Sequence, residues 1–376
     1  MSDQIAQRIG RELDVPNLCE LLAEKLSGAD LHSLLLSVFK RRIGEILPAR
    51  LTQDNAATLA SNVSGRLLNK VAQVAFETAS RFEAVELSPV TPLGSVAVLT
   101  GLDQGNVLST IRALECASDP TIGLALECAR LRRKQPDRKE THRLCTSQRV
   151  LRFPLPSTPG YTAHFKLLCM VSAGRDMGSF GFEVEALREQ IDFYLTFVKN
   201  LRAIGFSYSH IAVQICDTRV VSHLCARSNI DRDNIKATVR ARDSQSSERL
   251  LQKYAIDWPK AMKSPAEELA AYDLPEHLIR HMSLIQQDVC DVLQDIHDGV
   301  EFSFNLRRLT GLGYYDGPCF HIKMTNDRGE SFMLADGGFV QWTQRLLGDK
   351  KERLLTSAIG IELLCRLFRV EGDTAI

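Results

Sequence analysis

The sequence contains no paired cysteine motif and no excess of charge of either sign. Its ten cysteines occur singly between Cys19 and Cys365. This spacing argues against a zinc knuckle or a disulfide framework, so we expect reduced cysteines that serve as small apolar residues. His277 and His281 could share a helix face but lack a third ligand, so no metal site is predicted. Lys+Arg and Asp+Glu both number 46, a balance that disfavours a dedicated nucleic-acid binder.

The chain also lacks the segments that direct proteins into or across membranes. It has no apolar run of about eighteen residues, the length of a membrane-spanning helix. Its first six residues do not show the basic and then apolar layout of a signal peptide. With 376 residues, 44% hydrophobic and 24% charged, the composition is typical of a soluble globular protein with one large domain or two. We therefore predict a cytoplasmic protein without a membrane span.

Apolar residues at helical spacing predict that residues 1–80 are helical. The residues that form these stripes are Leu18, Leu21, Leu22, Leu26, Leu31, Leu34, Leu35, Val38, Leu67, Leu68, Val71, Val74 and Ala75. Asp30 is placed to cap the second helix, and Pro48 to mark its end. The basic run Lys40-Arg41-Arg42 is either a solvated helix terminus or a contact for phosphate or tRNA.

From Phe82 onwards the sequence alternates between strand and helix patterns. Period-two alternation and short apolar runs predict strands over residues 82–89, 107–111, 148–153, 164–172 and 211–216. Helical periodicity predicts helices over 122–133, 182–201 and 357–368. Between the third and fourth strands lies a proline-rich connection, 154–160. Residues 218–299 are predicted to be mostly helical and 300–333 to be rich in strands.

Three glycine-containing segments near the C-terminus are the most specific motifs of the chain. They read Gly311-Leu312-Gly313-Tyr314-Tyr315-Asp316-Gly317, Ala335-Asp336-Gly337-Gly338-Phe339 and Ala358-Ile359-Gly360-Ile361-Glu362. The glycines of the first segment fall on a strand rather than before a helix, so they do not indicate a dinucleotide-binding loop. The order of the three segments resembles the catalytic core of histidyl-tRNA synthetase. It also resembles the tRNA-free paralogue of that enzyme, the regulatory subunit of ATP phosphoribosyltransferase.

This resemblance, which covers about residues 65–370, implies an α+β fold. The expected architecture is a mainly antiparallel class II synthetase-like sheet of six to seven strands, flanked by helices. The class II core would span residues 81–376. Residues 1–80 would form an N-terminal helical extension and 218–299 a helical insertion, because the resemblance accounts for neither. A histidyl-tRNA synthetase would continue after the Gly-Ile-Glu helix into an anticodon-binding domain, so the sequence here is more similar to the regulatory subunit.

Several residues that the resemblance associates with chemistry are replaced. Aminoacyl activation needs cations around the ATP phosphates. Thr310, Phe339 and Leu363 stand where the family has arginines, whereas Arg152 stands where it has the arginine of its second motif. Each charge-assisted contact is worth about 1.5–3 kcal/mol, so three losses would weaken ATP binding by several decades. No cofactor is therefore assigned, and ATP with Mg²⁺ is expected only if the chain still activates a carboxylate.

The predicted ligand-binding residues are Arg152, His164, Arg175, Tyr314, Tyr315, Asp336, Gly337, Gly338 and Glu362. The resemblance implies that the two tyrosines line the side-chain pocket and that the double glycine packs against the ligand. It places Arg152 in the second motif and Glu362 in the third. Arg175 lies in the segment 172–176, which is either a ligand-facing loop or a plain turn with an exposed ion pair. His164, at the start of a strand, is either a ligand contact or a simple hydrogen-bonding partner.

Three functional hypotheses remain open at this point. The first is a class II synthetase paralogue that has lost tRNA charging, forms a homodimer, binds a small amino-acid-like metabolite and serves a partner enzyme. The second is an enzyme that uses ATP to activate an amino acid or another carboxylate for an acceptor other than tRNA, with Arg152 in the site. The third is a tRNA- or RNA-binding module that uses the N-terminal helices.

Overall fold

The computed structural model describes residues 2–53, 55–135, 140–153, 162–231, 234–235, 238–239 and 245–370. Ten strands occur in these ranges. They are β1 (Glu83–Ala84), β2 (Val90–Pro92), β3 (Leu114–Cys116), β4 (His142–Leu151), β5 (His164–Arg175), β6 (His210–Asp217), β7 (Val300–Phe304), β8 (Pro318–Thr325), β9 (Ser331–Phe339) and β10 (Glu352–Gly360).

Helices surround the strands along most of the described chain. They are α1 (Ser2–Glu12), α2 (Leu18–Glu20), α3 (Gly28–Ile43), α4 (Gly65–Thr78), α5 (Ser95–Thr100), α6 (Pro120–Lys134), α7 (Gly181–Leu201), α8 (Thr218–Arg227), α9 (Ser246–Lys253), α10 (Pro265–Leu269), α11 (Glu276–Ile285), α12 (Val292–Ile296), α13 (Trp342–Leu347) and α14 (Ile361–Leu367). No helix in the described ranges is long and apolar enough to cross a bilayer.

Eight strands form one sheet in the order β1-β4-β5-β10-β9-β8-β6-β7, and β2 and β3 form a separate pair. The central pairs from β4 to β6 are antiparallel, whereas the outermost pairs, β1 with β4 and β6 with β7, are parallel. The predicted α+β class and mainly antiparallel sheet are confirmed. The sheet has one strand more than the range of six to seven, and it is mixed at both edges.

The sheet is covered on both faces, and alternate residues of each strand serve one face or the other. On the helix face, α4, α7 and α14 pack in one core cluster that includes Leu168 and Met170 of β5. On the ligand face, so named for the site described below, α6 covers Cys169 and Val171. Because β5 is buried on both faces, its centre is a continuous apolar run rather than an alternating one.

The N-terminal helices agree with the predicted periodicity but differ in their boundaries. The side chain of Ser27, rather than Asp30, caps α3 by accepting a hydrogen bond from the Asp30 amide at 3.1 Å. That helix ends at Ile43, and Pro48 opens a short 3₁₀ turn instead. The helix α4 packs into the main core through residues that include Val71 and Ala75.

Four predicted elements are wrong in type or extent. The strand predicted over 82–89 is reduced to Glu83–Ala84. Residues 107–111 do not form a strand, because the preceding turn at Asp103 and Gln104 redirects the backbone and the strand lies at 114–116 instead. Residues 172–175 extend β5 rather than starting a loop. The segment 357–360 belongs to β10, so the last helix begins only at Ile361. The proline-rich connection 154–160 lies outside the described residues.

A ring stack joins α11 to the turn that connects β5 with α7. His281 of α11 stacks on Phe180 with ring centroids 3.9 Å apart and 5° between the planes. Arg219 lies 5.5 Å from the centroid of Phe180 and pairs with the buried Asp217 at 2.6 Å. Phe180 has a left-handed φ of 64°, an uncommon conformation for a bulky residue that this packing holds in place.

This stack predicts that stability falls as the solution is acidified. Burial, with a further contribution from Arg219, lowers the pKa of His281 to about 4. Between pH 6.5 and 4 the unfolded chain then binds more protons than the folded one, so the free energy of unfolding decreases as pH falls. Thermal unfolding at pH 7.5 and pH 5.0 should show this decrease, and His281→Gln should make it smaller. An equal decrease in the variant and the wild type would rule out His281 as its source.

Candidate ligand site

The tyrosine pair sits in a glycine-rich loop between β7 and β8, on the ligand face of the sheet, so the prediction that these glycines fall on a strand is wrong. Gly311 has a φ of 94°, and a Cβ there would lie 2.9 Å from Cδ2 of Tyr315. Only glycine tolerates both the positive φ and this close approach of the Tyr315 ring, which explains why the motif has glycine at this position. Tyr314 and Tyr315 make an edge-to-face contact at 4.9 Å, and Tyr314 makes another with Trp342 at 5.6 Å. These contacts fix the orientation of both rings.

Next to Tyr315 lies a cluster of charged side chains from three segments. Arg308 Nη2 donates to Asp336 Oδ1 at 2.9 Å, and His321 Nε2 lies 3.4 Å from the other carboxylate oxygen. The Arg308 guanidinium also lies 5.5 Å from the Tyr315 ring centroid. Arg308 is buried and its Nη1 has no partner among the described residues, whereas the Asp336 side chain is 48% exposed. The pair therefore presents its carboxylate to the solvent side of the cluster.

A second polar group surrounds the Tyr314 hydroxyl. That hydroxyl lies 3.3 Å from Asp119 Oδ2, and Asp119 caps α6 by accepting from the Thr121 amide at 3.0 Å. Arg152 Nη2 lies 3.9 Å from Asp119, while its Nε donates to the Ser118 carbonyl at 2.8 Å. Arg152 is about one-third exposed, so its guanidinium is accessible from the ligand face.

The electrostatics of the two groups differ. The partial burial of Asp336 opposes its ionisation, but Arg308 and then His321 outweigh it and hold the pKa of that carboxyl well below its usual range. Burial, reinforced by Arg308, lowers the pKa of His321, which is therefore neutral at pH 7. Burial also raises the pKa of both tyrosines far above the usual value. The site thus presents a fixed carboxylate beside two neutral phenols.

The structure brings five of the predicted residues to one site: Arg152, Tyr314, Tyr315, Asp336 and Gly338. Gly338 belongs with the tyrosines because a Cβ on it would lie 2.6 Å from Tyr315 Cδ1. Gly337, the next residue along β9, faces the opposite side of the sheet, towards Phe320 and Ser357.

The other three predicted residues lie elsewhere. Arg149, on the helix face, contacts His164 Nδ1 at 2.8 Å and the carboxylate of Glu362 at 2.5 Å. His164 and Glu362 therefore form a cluster on the helix face, on the opposite side of the sheet from the tyrosine pair. Arg175 pairs with Asp349 at 3.0 Å. Arg175 lies six residues after Cys169 in β5, which corresponds to about 20 Å along the strand. The structure does not bring these three residues to the tyrosine pair.

Comparison with known proteins identifies solved structures that share this architecture. No family model matches the sequence, and no curated protein matches it either. Solved structures do match. Histidyl-tRNA synthetase from Nostoc sp. PCC 7120 is similar over 84% of this chain and 74% of its own, with a TM-score of 0.60 and 16% identity. The chain has a class II synthetase-like core.

Two further structures share this class II core. An ATP phosphoribosyltransferase regulatory subunit/histidyl-tRNA synthetase from Bacillus halodurans C matches over 84% of this chain and 83% of its own, with a TM-score of 0.58 and 14% identity. A chain of the ATP phosphoribosyl transferase (HisG:HisZ) complex from Thermotoga maritima matches over 80% of this chain and 98% of its own, with a TM-score of 0.51 and 15% identity. At these identities the similarity concerns the fold.

The sequence interpretation missed Arg308, the cation of the charged cluster beside Tyr315. Arg308 lies two residues before Thr310, the position where the motif would carry its arginine, and its Nε donates to the Thr310 carbonyl at 3.1 Å. Arg307 points elsewhere and pairs with Glu248 at 2.6 Å. The adjacent arginine pair in the sequence was the available signal, but it did not indicate which of the two enters the site.

The positions that the resemblance associates with ATP remain without cations. Phe339 is buried in the main core, and Leu363 packs against the same core. No group of three or more His, Cys, Asp or Glu side chains suited to a metal ion occurs in the described ranges. Two surface cavities of about 550 and 560 Å³ lie beside β7 and beside α4, away from the tyrosine pair. The groups beside the tyrosines are a partly exposed carboxylate, that of Asp336, and a partly exposed guanidinium, that of Arg152.

Proposed function

We propose that this chain is a class II synthetase paralogue that has lost tRNA charging and acts as a regulatory or partner-binding subunit. The observation that supports this most is the retained tyrosine and glycine scaffold beside apolar or neutral residues at three expected cation positions, Thr310, Phe339 and Leu363. A triphosphate would lose three charge-assisted contacts there, worth about 5 kcal/mol or more in total. Arg308 does not restore one of them freely, because its side chain is buried and already paired with Asp336.

The proposed ligand is a small amino-acid-like metabolite. The half-exposed carboxylate of Asp336 would accept an ammonium group beside the Tyr315 ring, and Arg152 would receive a carboxylate near the Tyr314 hydroxyl. Each of these two groups already has one partner, Arg308 for Asp336 and Asp119 for Arg152, but both are partly exposed and so offer opposite charges to a zwitterion. The same groups would repel or leave unpaired a ligand with several negative charges.

The proposed setting is a cytoplasmic homodimer that binds a partner enzyme. The Thermotoga maritima structure is a complex of two kinds of chain, named HisG:HisZ, in which a chain of this fold accompanies an ATP phosphoribosyl transferase. By analogy, the class II core of this chain would transmit the presence of its ligand to an associated enzyme. This analogy rests on the fold, so the identity of the partner has to come from experiment.

The experiment that tests the function is calorimetry with each amino acid, in the absence and presence of ATP. We expect at least one amino acid to bind equally well in both conditions, and no measurable binding of ATP alone up to millimolar concentration. A histidyl-tRNA synthetase measured in parallel serves as the positive control for ATP. Amino-acid-dependent exchange between ATP and pyrophosphate would overturn the proposal and favour activation of a carboxylate for an acceptor other than tRNA. The absence of binding by any amino acid would remove the metabolite class.

A further inference from the structure

The N-terminal helical region, residues 2–53, carries an unusual amount of exposed apolar surface. Of the twenty large hydrophobic side chains that are exposed among the described residues, eleven lie in this region. They are Ile5, Ile9, Leu13, Leu26, Leu34, Val38, Phe39, Ile43, Ile46, Leu47 and Leu51. No residue of α2 or α3 is buried. A segment of this size cannot bury a core alone, so its apolar surface needs a partner.

The exposed apolar residues are spaced as one face of each helix. Ile5 and Ile9 of α1, and Leu13 directly after it, follow at steps of four residues. In α3, Leu34 and Val38 are also four residues apart and lie beside the half-buried Leu31 and Leu35. Such stripes pack against other helices. The apolar surface is thus a pair of helix faces rather than scattered residues.

The charges in the region divide it into two oppositely charged halves. Residues 2–30 contain six acidic and three basic side chains, and residues 31–53 contain four basic and one acidic. Within the described residues, the basic run Lys40-Arg41-Arg42 makes no ion pair, and neither do Glu20 and Glu24. The acidic half therefore carries an excess of three negative charges and the basic half an excess of three positive charges. Neither excess is neutralised by an ion pair among the residues that the structure describes.

We propose that the N-terminal helical region pairs with the same region of a second copy of this chain, acidic half against basic half about a two-fold axis. A two-fold interface must be self-complementary, and a neutral region with one acidic and one basic half meets that condition in the antiparallel arrangement. The apolar stripes would form the centre of this interface and the charged runs its rim. Nucleic acid or an anionic membrane would use only the basic half and would leave the acidic half unmatched.

This inference specifies a surface for the proposed homodimer but does not depend on the ligand site. Cys19, the one cysteine that is exposed, provides a label inside the region. Two full-length batches, both with the half-buried Cys116 replaced by Ser, would carry a donor or an acceptor dye at Cys19. Energy transfer on mixing reports the approach of the two regions, and light scattering reports the mass of the assembly. These two readouts separate pairing of the region from dimerisation through the core.

Charge reversal tests the predicted arrangement. The acidic-reversed chain carries Glu12→Lys, Glu20→Lys and Glu24→Lys, and the basic-reversed chain carries Lys40→Glu, Arg41→Glu and Arg42→Glu. Each alone should lose energy transfer, with a dissociation constant raised about tenfold or more, because like-charged halves then face each other. Mixing the two should restore transfer, which also shows that both regions still fold. A control reverses three exposed lysines outside the region, Lys199→Glu, Lys323→Glu and Lys350→Glu, and should leave transfer unchanged.

The outcomes distinguish the inference from the proposed function. Pairing through residues 2–53 is overturned if energy transfer is unchanged in both reversed chains or does not recover in their mixture. In either case a dimeric mass would still support the proposed homodimer. A monomeric mass for the wild type at micromolar concentration overturns both. If the labelled wild type shows no transfer between copies but binds vesicles with anionic headgroups or a transfer RNA, the occupant is not a second copy and the inference fails.

Discussion

Asp336→Asn is expected to lower the free energy of unfolding by about 3 kcal/mol, because it leaves Arg308 as a buried cation without a counter-charge. The Arg308 side chain is only 6% exposed, its Nη2 contacts Asp336 at 2.9 Å, and its Nη1 already lacks a partner among the described residues. The expected value lies at the lower end of the range for breaking a buried pair, since Asp336 is itself 48% exposed. The pKa of this carboxyl is lowered in the folded chain, so the contribution is present above about pH 4 and lost as pH falls.

Urea unfolding at pH 7 measures the effect. A matched control is Asp273→Asn, which breaks an ion pair with Arg227 whose side chains are 50% and 88% exposed, and which should change stability by about 0.5 kcal/mol or less. The double substitution Arg308→Met with Asp336→Asn should recover most of the loss, because neither charge then remains buried. If Asp336→Asn were as mild as the control, the Arg308 pair would be solvated and the account of the charged cluster would be wrong.

Much of the sheet could be predicted from the sequence because the buried strands and helices have strong local patterns. The apolar run in β5 and the periodicity of α7 place both elements within a few residues of their observed positions. The strand predicted at 107–111 failed for a local reason. There the Asp103 side chain accepts from the Gly105 amide at 2.6 Å, and this turn ends extended structure before the apolar residues begin.

The candidate site was less predictable because it depends on which face of the sheet each residue occupies. Neighbouring residues in β9 serve opposite faces, so Gly337 and Gly338 cannot both contact one ligand. The same alternation places Arg149, and with it His164 and Glu362, behind the sheet. Arg308 could not be assigned from the motif, because the motif does not specify which of the two adjacent arginines, Arg307 or Arg308, pairs with Asp336 beside Tyr315.

The two glycines of β9 should therefore differ in what they disturb. In Gly338→Ala the new Cβ would lie 2.6 Å from Cys319 Cβ and 2.6 Å from Tyr315 Cδ1, so the tyrosine must move. In Gly337→Ala the new Cβ would lie 2.6 Å from Ser357 Cβ and from Phe320 Cε1, on the helix face. Both substitutions overpack a closed strand pair and should cost about 1–3 kcal/mol of stability. Only Gly338→Ala should also disturb the ligand site.

Near-ultraviolet circular dichroism and urea unfolding separate these effects without knowledge of the ligand. The edge-to-face contacts that link Tyr315, Tyr314 and Trp342 make the aromatic signal sensitive to a displaced Tyr315. The signal should change in Gly338→Ala, and any amino acid that binds the wild type should bind this variant at least tenfold more weakly. Gly65→Ala, where a Cβ meets nothing within 4 Å, is the control. It should leave the signal unchanged and should not lower stability. If Gly338→Ala matched this control, Tyr315 would not rest on the glycine, and a role for the double glycine in shaping the pocket would have to be abandoned.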